Sequence, residues 1–163
     1  MKHNPYEVIK NFEEIVADYC GSSYAVAVDN ATNGLFLCMK YLKIENQEIT
    51  IPARTFMSVP CAIIHAGNKV NFDKNHPAIK GKKLKGQYRL DPFPIWDSAL
   101  TFKKDMYIPG ELQCLSLGWN YYMLPEIAAR GAVLMLGIKD NNEDLALEYQ
   151  DLSIYKVYTE DNF

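Results

Sequence analysis

The feature that most constrains the fold is the stretch of residues 24–42, which reads YAVAVDNATNGLFLCMKYL. Its first five residues form a short apolar run, with two valines, that has the length of a buried strand. Residues 29–34 are small and polar, as a tight turn requires. Residues 35–42 are apolar on nearly all sides, which predicts a helix buried against a sheet. The stretch therefore predicts a strand–turn–helix unit.

A unit of this kind aims the unpaired N–H groups of the first helical turn out of the carboxyl end of the strand. In open α/β sheets that end binds ligands, and the N–H groups together with the helix dipole favour an anion such as phosphate. An ordinary strand-to-helix connection without a ligand explains the pattern equally well. Neither a Walker-type motif nor Gly-x-Gly-x-x-Gly occurs in the sequence to decide between the two. Both interpretations stay open.

Strand and helix signals alternate along the chain. Asn4 and Pro5 predict the start of a first helix, and Gly21 predicts its end. The remaining predictions are a helix at residues 58–66 and strands at residues 49–51, 69–72, 88–90, 94–96, 112–117 and 132–138. Strands that alternate with helices are typical of a mostly parallel sheet with right-handed crossovers. We therefore expect a fold of the α/β class.

Composition and length indicate one globular domain over residues 1–163, with 48% hydrophobic and 23% charged residues. The apolar runs are too short to span a membrane, and no signal peptide is predicted, so we expect a cytoplasmic protein without a membrane partner. The four cysteines (Cys20, Cys38, Cys61 and Cys114) form no Cys-x-x-Cys motif, which favours reduced thiols over disulfides or zinc. The three histidines are scattered, and we predict no metal site.

Charged residues are unevenly distributed. Residues 73–86 hold five lysines and two glycines. They fit a phosphate-attracting patch, but a solvated surface turn is favoured because basic runs are common on protein surfaces. Residues 141–158 predict an acidic amphipathic segment that packs on the sheet or on a partner subunit. An isoelectric point near 5.6 argues against nucleic acid as a partner.

Short stretches between residues 12 and 133 form an ordered set. They read FEE at 12–14, YCGSSYAVAV at 19–28, NATNGL at 30–35, TFMS at 55–58, WDSA at 96–99, CLSL at 114–117 and RGAV at 130–133. In this order they resemble the large domain of the DegT/StrS family, the sugar-nucleotide aminotransferases of pyridoxal-phosphate fold type I. The resemblance implies an α/β fold, a three-layer α/β/α sandwich with a mostly parallel sheet, reduced to the large domain with no C-terminal small domain.

The resemblance also implies roles for five residues in binding the cofactor. Ala31 and Thr32 would donate to the cofactor phosphate, Ser116 would be a second phosphate donor, and Phe56 would stack on the pyridine ring. Asp97 would pair with the ring nitrogen and keep it protonated, which makes the ring an electron sink. Four of the five also have a purely structural interpretation: a helix cap for Thr32, a core side chain for Phe56, a loop carboxylate for Asp97 and a strand residue for Ser116.

The sequence departs from the family where the chemistry is carried out. Aligned on CLSL, the lysine that forms the Schiff base falls at Tyr121, and no lysine lies between Lys104 and Lys139. A phenol has no amine to condense with an aldehyde, so no internal aldimine is expected there. Leu100 replaces a glutamine or histidine of the family, and the segment between residues 72 and 96 is shorter than in the family.

Three functions are compatible with these features. The first is a pseudoenzyme without transaminase activity that retains dimerisation, with itself or with a full-length relative, and binds pyridoxal or pyridoxamine phosphate non-covalently if at all. The second is a sugar-nucleotide-modifying enzyme, aminotransferase or dehydratase-like, that uses either cofactor and acts with a partner chain. The third is a binder of a phosphorylated metabolite or sugar nucleotide. We favour the first, because the phenol of Tyr121, with an ordinary pKa near 10, is a poor base at neutral pH.

Overall fold

A computed structural model describes residues 6–81, 83–84, 86–117 and 125–136. The chain divides into two compact units, one formed by residues 1–15 with 124–163 and the other by residues 16–123. The prediction of one domain over the whole chain stays a prediction. The described elements are α1 (Glu7–Cys20), α2 (Ala31–Tyr41), β1 (Glu48–Pro52), α3 (Ser58–His65), β2 (Lys69–Asp73), β3 (Ile79–Lys80), β4 (Lys83–Leu84), β5 (Tyr88–Arg89), β6 (Ile95–Asp97), β7 (Leu112–Cys114) and α4 (Pro125–Leu136).

The strands of the larger unit pair in both directions. β1 and β2 are parallel, with Ile49 opposite Val70, and α3 connects them. β6 lies between β7, which is parallel to it, and β5, which is antiparallel. A bridge between Thr50 and Asp91 links β1 to the turn after β5. Helices that alternate with parallel strands confirm the predicted α/β class, although the described strands form three small sheets rather than one.

The core of this unit lies between α2, α3 and the strands. Leu35 and Met39, which are four residues apart on α2, are fully buried. Spacing of this kind puts two side chains on one face of a helix. In β1, Ile49 and Ile51 alternate with more exposed residues and are also fully buried. The helices predicted at residues 35–42 and 58–66 and the strands predicted at residues 49–51 and 69–72 are thus confirmed. The turn predicted at residues 29–34 is too long, because α2 begins at Ala31 with Asn30 as its cap.

The strand predicted at residues 24–28 is wrong. These residues have no regular secondary structure, and Tyr24 and Val26 are 88% and 80% exposed. An apolar run becomes a buried strand only where other strands supply hydrogen bonds and other side chains cover it. No strand pair among the described residues includes this run, and the side chains of Tyr24 and Val26 stay exposed.

The strand predicted at residues 132–138 is also wrong, because residues 125–136 form the helix α4. The segment is rich in alanine, leucine and methionine, which have high helix propensities, and Pro125 is well suited to the first turn of a helix. Periodicity alone does not distinguish a short buried strand from a buried helix. Residues 137 and 138 lie outside the described residues.

Three further predictions concern the ends of the chain and the basic segment. The predicted cap at Asn4 and the tail at residues 141–158 lie outside the described residues. Within residues 73–86, β3 and β4 form a small antiparallel hairpin, and Lys74 and Lys80 are exposed. Along the described parts of the chain, no helix is long and apolar enough to cross a bilayer.

Candidate functional site

The turn before α2 has the geometry of a capped helix start. Asn30 has an extended backbone, and its side-chain oxygen accepts a hydrogen bond from the Asn33 N–H at 2.8 Å. The Asn33 side chain in turn donates to both carboxylate oxygens of Asp29, at 2.7 and 2.8 Å. The N-cap is therefore Asn30 rather than Thr32. The amides of Ala31 and Thr32 belong to the first turn of α2, where the helix itself provides no acceptors for backbone N–H groups.

Thr32 connects the starts of two helices. Its hydroxyl donates to the Ser58 hydroxyl at the first residue of α3, across 2.7 Å. An open pocket of about 400 Å³ lies between α2 and α3. Its walls are Thr32, Asn33, Phe36, Cys61, Ala62 and His65. The start of α2, where the resemblance implies phosphate binding, thus borders a concave surface.

Asp97, at the end of β6, accepts two hydrogen bonds from the protein. Its Oδ2 accepts from the Tyr88 hydroxyl at 2.7 Å, and its Oδ1 accepts from the Ala99 N–H at 3.0 Å. Tyr88 lies directly across the antiparallel β5–β6 pair, so its side chain is on the same face as the carboxylate. Asp97 is 7% exposed and Tyr88 is 2% exposed. The carboxylate is therefore buried and bonded within the larger unit.

The hydrogen-bond chain extends beyond Tyr88. The Thr55 and Tyr88 hydroxyl oxygens are 2.5 Å apart, and since the Tyr88 proton goes to Asp97, Thr55 is the donor. Burial and the charge of Asp97 raise the pKa of Tyr88 well above its ordinary value, while the bond from Thr55 acts in the opposite direction. Tyr88 therefore stays protonated and remains a donor to Asp97 at neutral pH.

The structure brings some of the predicted site residues together. Residues 55–58 link them, because Thr55 reaches Asp97 through Tyr88 and Ser58 bonds Thr32. Ala31 is half-buried at the helix start. Phe56, in the same segment, is 74% exposed, so the interpretation of Phe56 as a core side chain is wrong.

One other predicted position, Ser116, stands apart from these contacts. Ser116 is exposed, two residues beyond the end of β7. Tyr121 lies outside the described residues. Among the described residues, no group of three histidine, cysteine, aspartate or glutamate side chains is arranged to hold a metal ion.

Sequence reasoning missed the role of Tyr88. The stretch around it was predicted as a strand, with no function for the side chain. A signal was present, because residues 88 and 97 are equally far from the turn at residues 91–94, and a hairpin with a centred turn places them opposite each other. A buried tyrosine opposite a buried aspartate is a natural hydrogen-bonded pair.

We tested whether these residues fit a pyridoxal-type cofactor. The group needs a carboxylate free to pair with its ring nitrogen, but the buried Asp97 already accepts from Tyr88 and Ala99. A ring nitrogen could bond Asp97 Oδ2 in one of two ways. It would displace the Tyr88 hydroxyl, or it would share Oδ2 with that hydroxyl in a buried space. Two of the roughly four lone-pair positions of the Asp97 carboxylate are thus used within the protein, and a cofactor ring nitrogen would have to compete with Tyr88 at Oδ2.

Comparison with known proteins supports the family resemblance in the first half of the chain. Residues 2–80 match the model of the DegT/DnrJ/EryC1/StrS aminotransferase family. In this part, which includes Ala31, Thr32 and Phe56, the chain is similar to these aminotransferases. Asp97, Ser116 and Tyr121 lie beyond this match, and their correspondence to family positions stays a prediction.

A solved structure shows a more limited likeness. The X-ray crystal structure of S. venezuelae DesV in complex with a ketimine intermediate is 26% identical over 40% of this chain, with a TM-score of 0.39. The match spans 18% of the DesV chain. A search of curated proteins found no match.

Proposed function

We propose that this protein is a degenerate aminotransferase-like protein that has no transaminase activity and acts through association with a second copy of itself or with a full-length relative. The observation that supports this most is the buried hydrogen bond from Tyr88 to Asp97, because a cofactor ring nitrogen would have to compete with the Tyr88 hydroxyl for the same carboxylate oxygen. Tyr121 at the predicted lysine position supports the same conclusion, since a phenol forms no Schiff base. The proposal includes a cytoplasmic location, consistent with four free cysteines.

The loss of transamination is tested by adding pyridoxal phosphate, reducing with borohydride and mapping the peptides by mass spectrometry. We expect no pyridoxyl adduct in residues 118–122. Adducts on surface lysines such as Lys74 or Lys80 are expected to increase linearly with reagent, without saturation. A stoichiometric, saturable adduct at one lysine would overturn the proposal.

Non-covalent binding is tested separately with pyridoxamine phosphate, followed by near-ultraviolet circular dichroism. With the wild-type protein we expect no circular dichroism band from the cofactor. Tyr88→Phe removes the hydroxyl that competes for Asp97, and Tyr24→Phe removes an exposed hydroxyl as a matched control. A saturable signal in the wild type would favour the alternative of an enzyme that uses this cofactor with a partner chain.

Association is supported by exposed apolar side chains in the segments that lead into α2 and α3. Val26 precedes α2, Met57 precedes α3, and both are about 80% exposed. The first turns of these helices are joined by the bond between Thr32 and Ser58. Large apolar side chains are costly to leave in water, so a partner that covers them gains stability.

Light scattering after size exclusion tests this second part. We expect a concentration-dependent dimer that Val26→Asp and Met57→Asp shift towards monomer. Leu100→Asp is the matched control, because Leu100 is also an exposed apolar residue of the same unit but lies outside both segments. A wild-type protein that stays monomeric at all concentrations, and that captures no full-length relative, would contradict the proposal.

A second candidate function is binding of a phosphorylated metabolite or sugar nucleotide. The pocket beside Thr32 and Asn33 favours it, because this pocket borders the first turn of α2. Thermal shift with phosphate, nucleotides and nucleotide sugars tests it, and Thr32→Val is expected to abolish any stabilisation. No shift with any of these ligands would remove this candidate.

A further inference from the structure

Two of the four cysteines meet between α2 and β7. The sulfur atoms of Cys38 and Cys114 lie 3.6 Å apart, although 76 positions separate the two residues in the sequence. Cys38 is half-buried on the helix, and Cys114 is buried at the last position of the strand. Cys20 is buried and Cys61 is exposed, and both are free.

The position of Gly34 also indicates that α2 lies close to β7. Gly34 is four residues before Cys38, hence on the same side of α2. A Cβ atom placed on Gly34 would lie 3.5 Å from the Cys114 sulfur and 3.8 Å from its Cβ. A side chain at this position would thus be in ordinary van der Waals contact with Cys114, which shows how closely α2 lies against β7.

We propose that Cys38 and Cys114 form a reversible disulfide that joins α2 to β7, with a peroxide as the oxidant. A disulfide requires an S–S distance of about 2.05 Å, so the two sulfur atoms must approach by roughly 1.5 Å. Rotation of the two side chains is the movement that brings this about. The proposal does not depend on whether the protein binds a cofactor.

The chemistry assigns a different role to each sulfur. The Cys38 thiolate attacks one oxygen of hydrogen peroxide, the O–O bond breaks, and hydroxide leaves, which gives a sulfenic acid at Cys38. The sulfur of Cys114 then attacks the Cys38 sulfur, the S–O bond breaks, and the hydroxide takes up the Cys114 proton to leave as water. The two thiols lose two electrons, and the peroxide is reduced to water.

The surroundings support these roles. Cys38 is the more accessible sulfur of the pair, and a hydrogen bond from the Cys114 thiol lowers the pKa of Cys38, which favours its thiolate. The same bond and burial raise the pKa of Cys114, which keeps its proton until the second step. The attacking thiolate thus lies next to a protonated thiol that is in contact with it.

Peptide mapping without reduction tests the proposal on the whole protein. After treatment with a small excess of hydrogen peroxide and alkylation of the remaining thiols, we expect a cross-linked pair of peptides that carry Cys38 and Cys114. Free thiols should fall by two per chain, apart from any oxidation of Cys61, and dithiothreitol should restore them. The melting temperature should rise on oxidation, because the disulfide closes a long loop of the unfolded chain.

Three variants make the test specific. Cys38→Ser should abolish the cross-link, and Cys61→Ser should leave it unchanged, which separates the proposed pair from the exposed thiol. Cys114→Ser should give a persistent sulfenic acid at Cys38, which dimedone would label. If Cys38 and Cys114 are both still alkylated after Cys61 has been oxidised in the wild type, or if the cross-link joins other cysteines, the proposal is wrong.

Discussion

The side chain of Asn68 connects to the backbone of Ile44 and thereby fixes the connection between α2 and β1. Its amide donates to the Ile44 carbonyl at 3.0 Å, and its side-chain oxygen accepts from the Gln47 N–H at 3.1 Å. Asn68 is one of the few buried polar residues among those described. A buried polar side chain that bonds two backbone groups is in a position where no apolar residue can replace it.

Asn68→Ala should lower the free energy of unfolding by about 1–3 kcal/mol, because it leaves a buried carbonyl and an N–H without their partner. Urea denaturation monitored by circular dichroism measures the loss. Asn71→Ala is the matched control, since Asn71 is exposed and bonds the Thr50 hydroxyl. The control should change stability by less than about 0.5 kcal/mol. Equal losses in the two variants would contradict the role given to Asn68.

The thiols of Cys20 and Cys61 should differ strongly in reactivity. Burial raises the pKa of Cys20 to about 11, so only about 0.1% of it is thiolate at pH 8. Iodoacetamide at that pH should alkylate the exposed Cys61 first and leave Cys20 largely unmodified, as followed by mass spectrometry. Cys61→Ser should remove the fast alkylation of the peptide that carries residue 61 but not any alkylation of Cys38, and in urea Cys20 should react readily. Similar rates for both thiols in the folded protein would contradict the burial of Cys20.

The sequence predicts those elements whose signals are local. The apolar patterns at residues 35–42, 49–51, 58–66 and 69–72 lie within the elements that they define, so most of α2, β1, α3 and β2 follows from them. The start of α2 at Ala31 does not, because the sequence offers Thr32 as the cap in place of Asn30. The apolar run at residues 24–28 carries no such local signal, and for residues 132–138 the signal lies upstream, in Pro125 and the helix-forming residues that follow it. Their conformation depends on whether other strands pair with them and on helix propensity, and a short apolar run does not encode this.

The candidate site is less predictable than the fold. Family resemblance indicates Thr32 and Asp97, but it says nothing about the partners these residues find in this chain. The bond from Tyr88 to Asp97 depends on the register of β5 and β6, which a composition or motif does not fix. The contact between Cys38 and Cys114 depends on how α2 lies on β7, a tertiary property with no sequence signal beyond Gly34.

Two glycines in helices should respond oppositely to alanine. A Cβ on Gly34 meets atoms at ordinary contact distances, so Gly34→Ala should stabilise the protein by up to about 1 kcal/mol through helix propensity. A Cβ on Gly131 would lie 2.7 Å from the buried ring of Phe12, which must move. Gly131→Ala should therefore destabilise the protein by about 1–2 kcal/mol, net of the gain in propensity. Stabilisation by both, in thermal unfolding, would contradict the packing of Phe12 on Gly131.

The bond between Tyr88 and Asp97 should make stability depend on alkaline pH. The pKa of Tyr88 is raised in the folded protein, so folding holds its proton more tightly than the unfolded chain does. The stabilisation is fully present below about pH 10, the ordinary pKa of tyrosine, and is lost as the pH rises above it. In this range the free energy of unfolding of the wild type should therefore fall, for each pH unit, by up to about 1.4 kcal/mol more than that of Tyr88→Phe.

Urea denaturation at several pH values between 9 and 12 measures this difference. Tyr88→Phe should be less stable than the wild type at pH 8, because the buried Asp97 loses a donor, and the two curves should converge as the pH rises. Tyr24→Phe provides the control, since Tyr24 is 88% exposed, and its curve should run parallel to the wild type. If the free energy of unfolding of Tyr88→Phe also runs parallel to that of the wild type, the Tyr88 hydroxyl does not donate to Asp97 in the folded protein. The argument that Tyr88 competes with a cofactor for Asp97 would then be wrong.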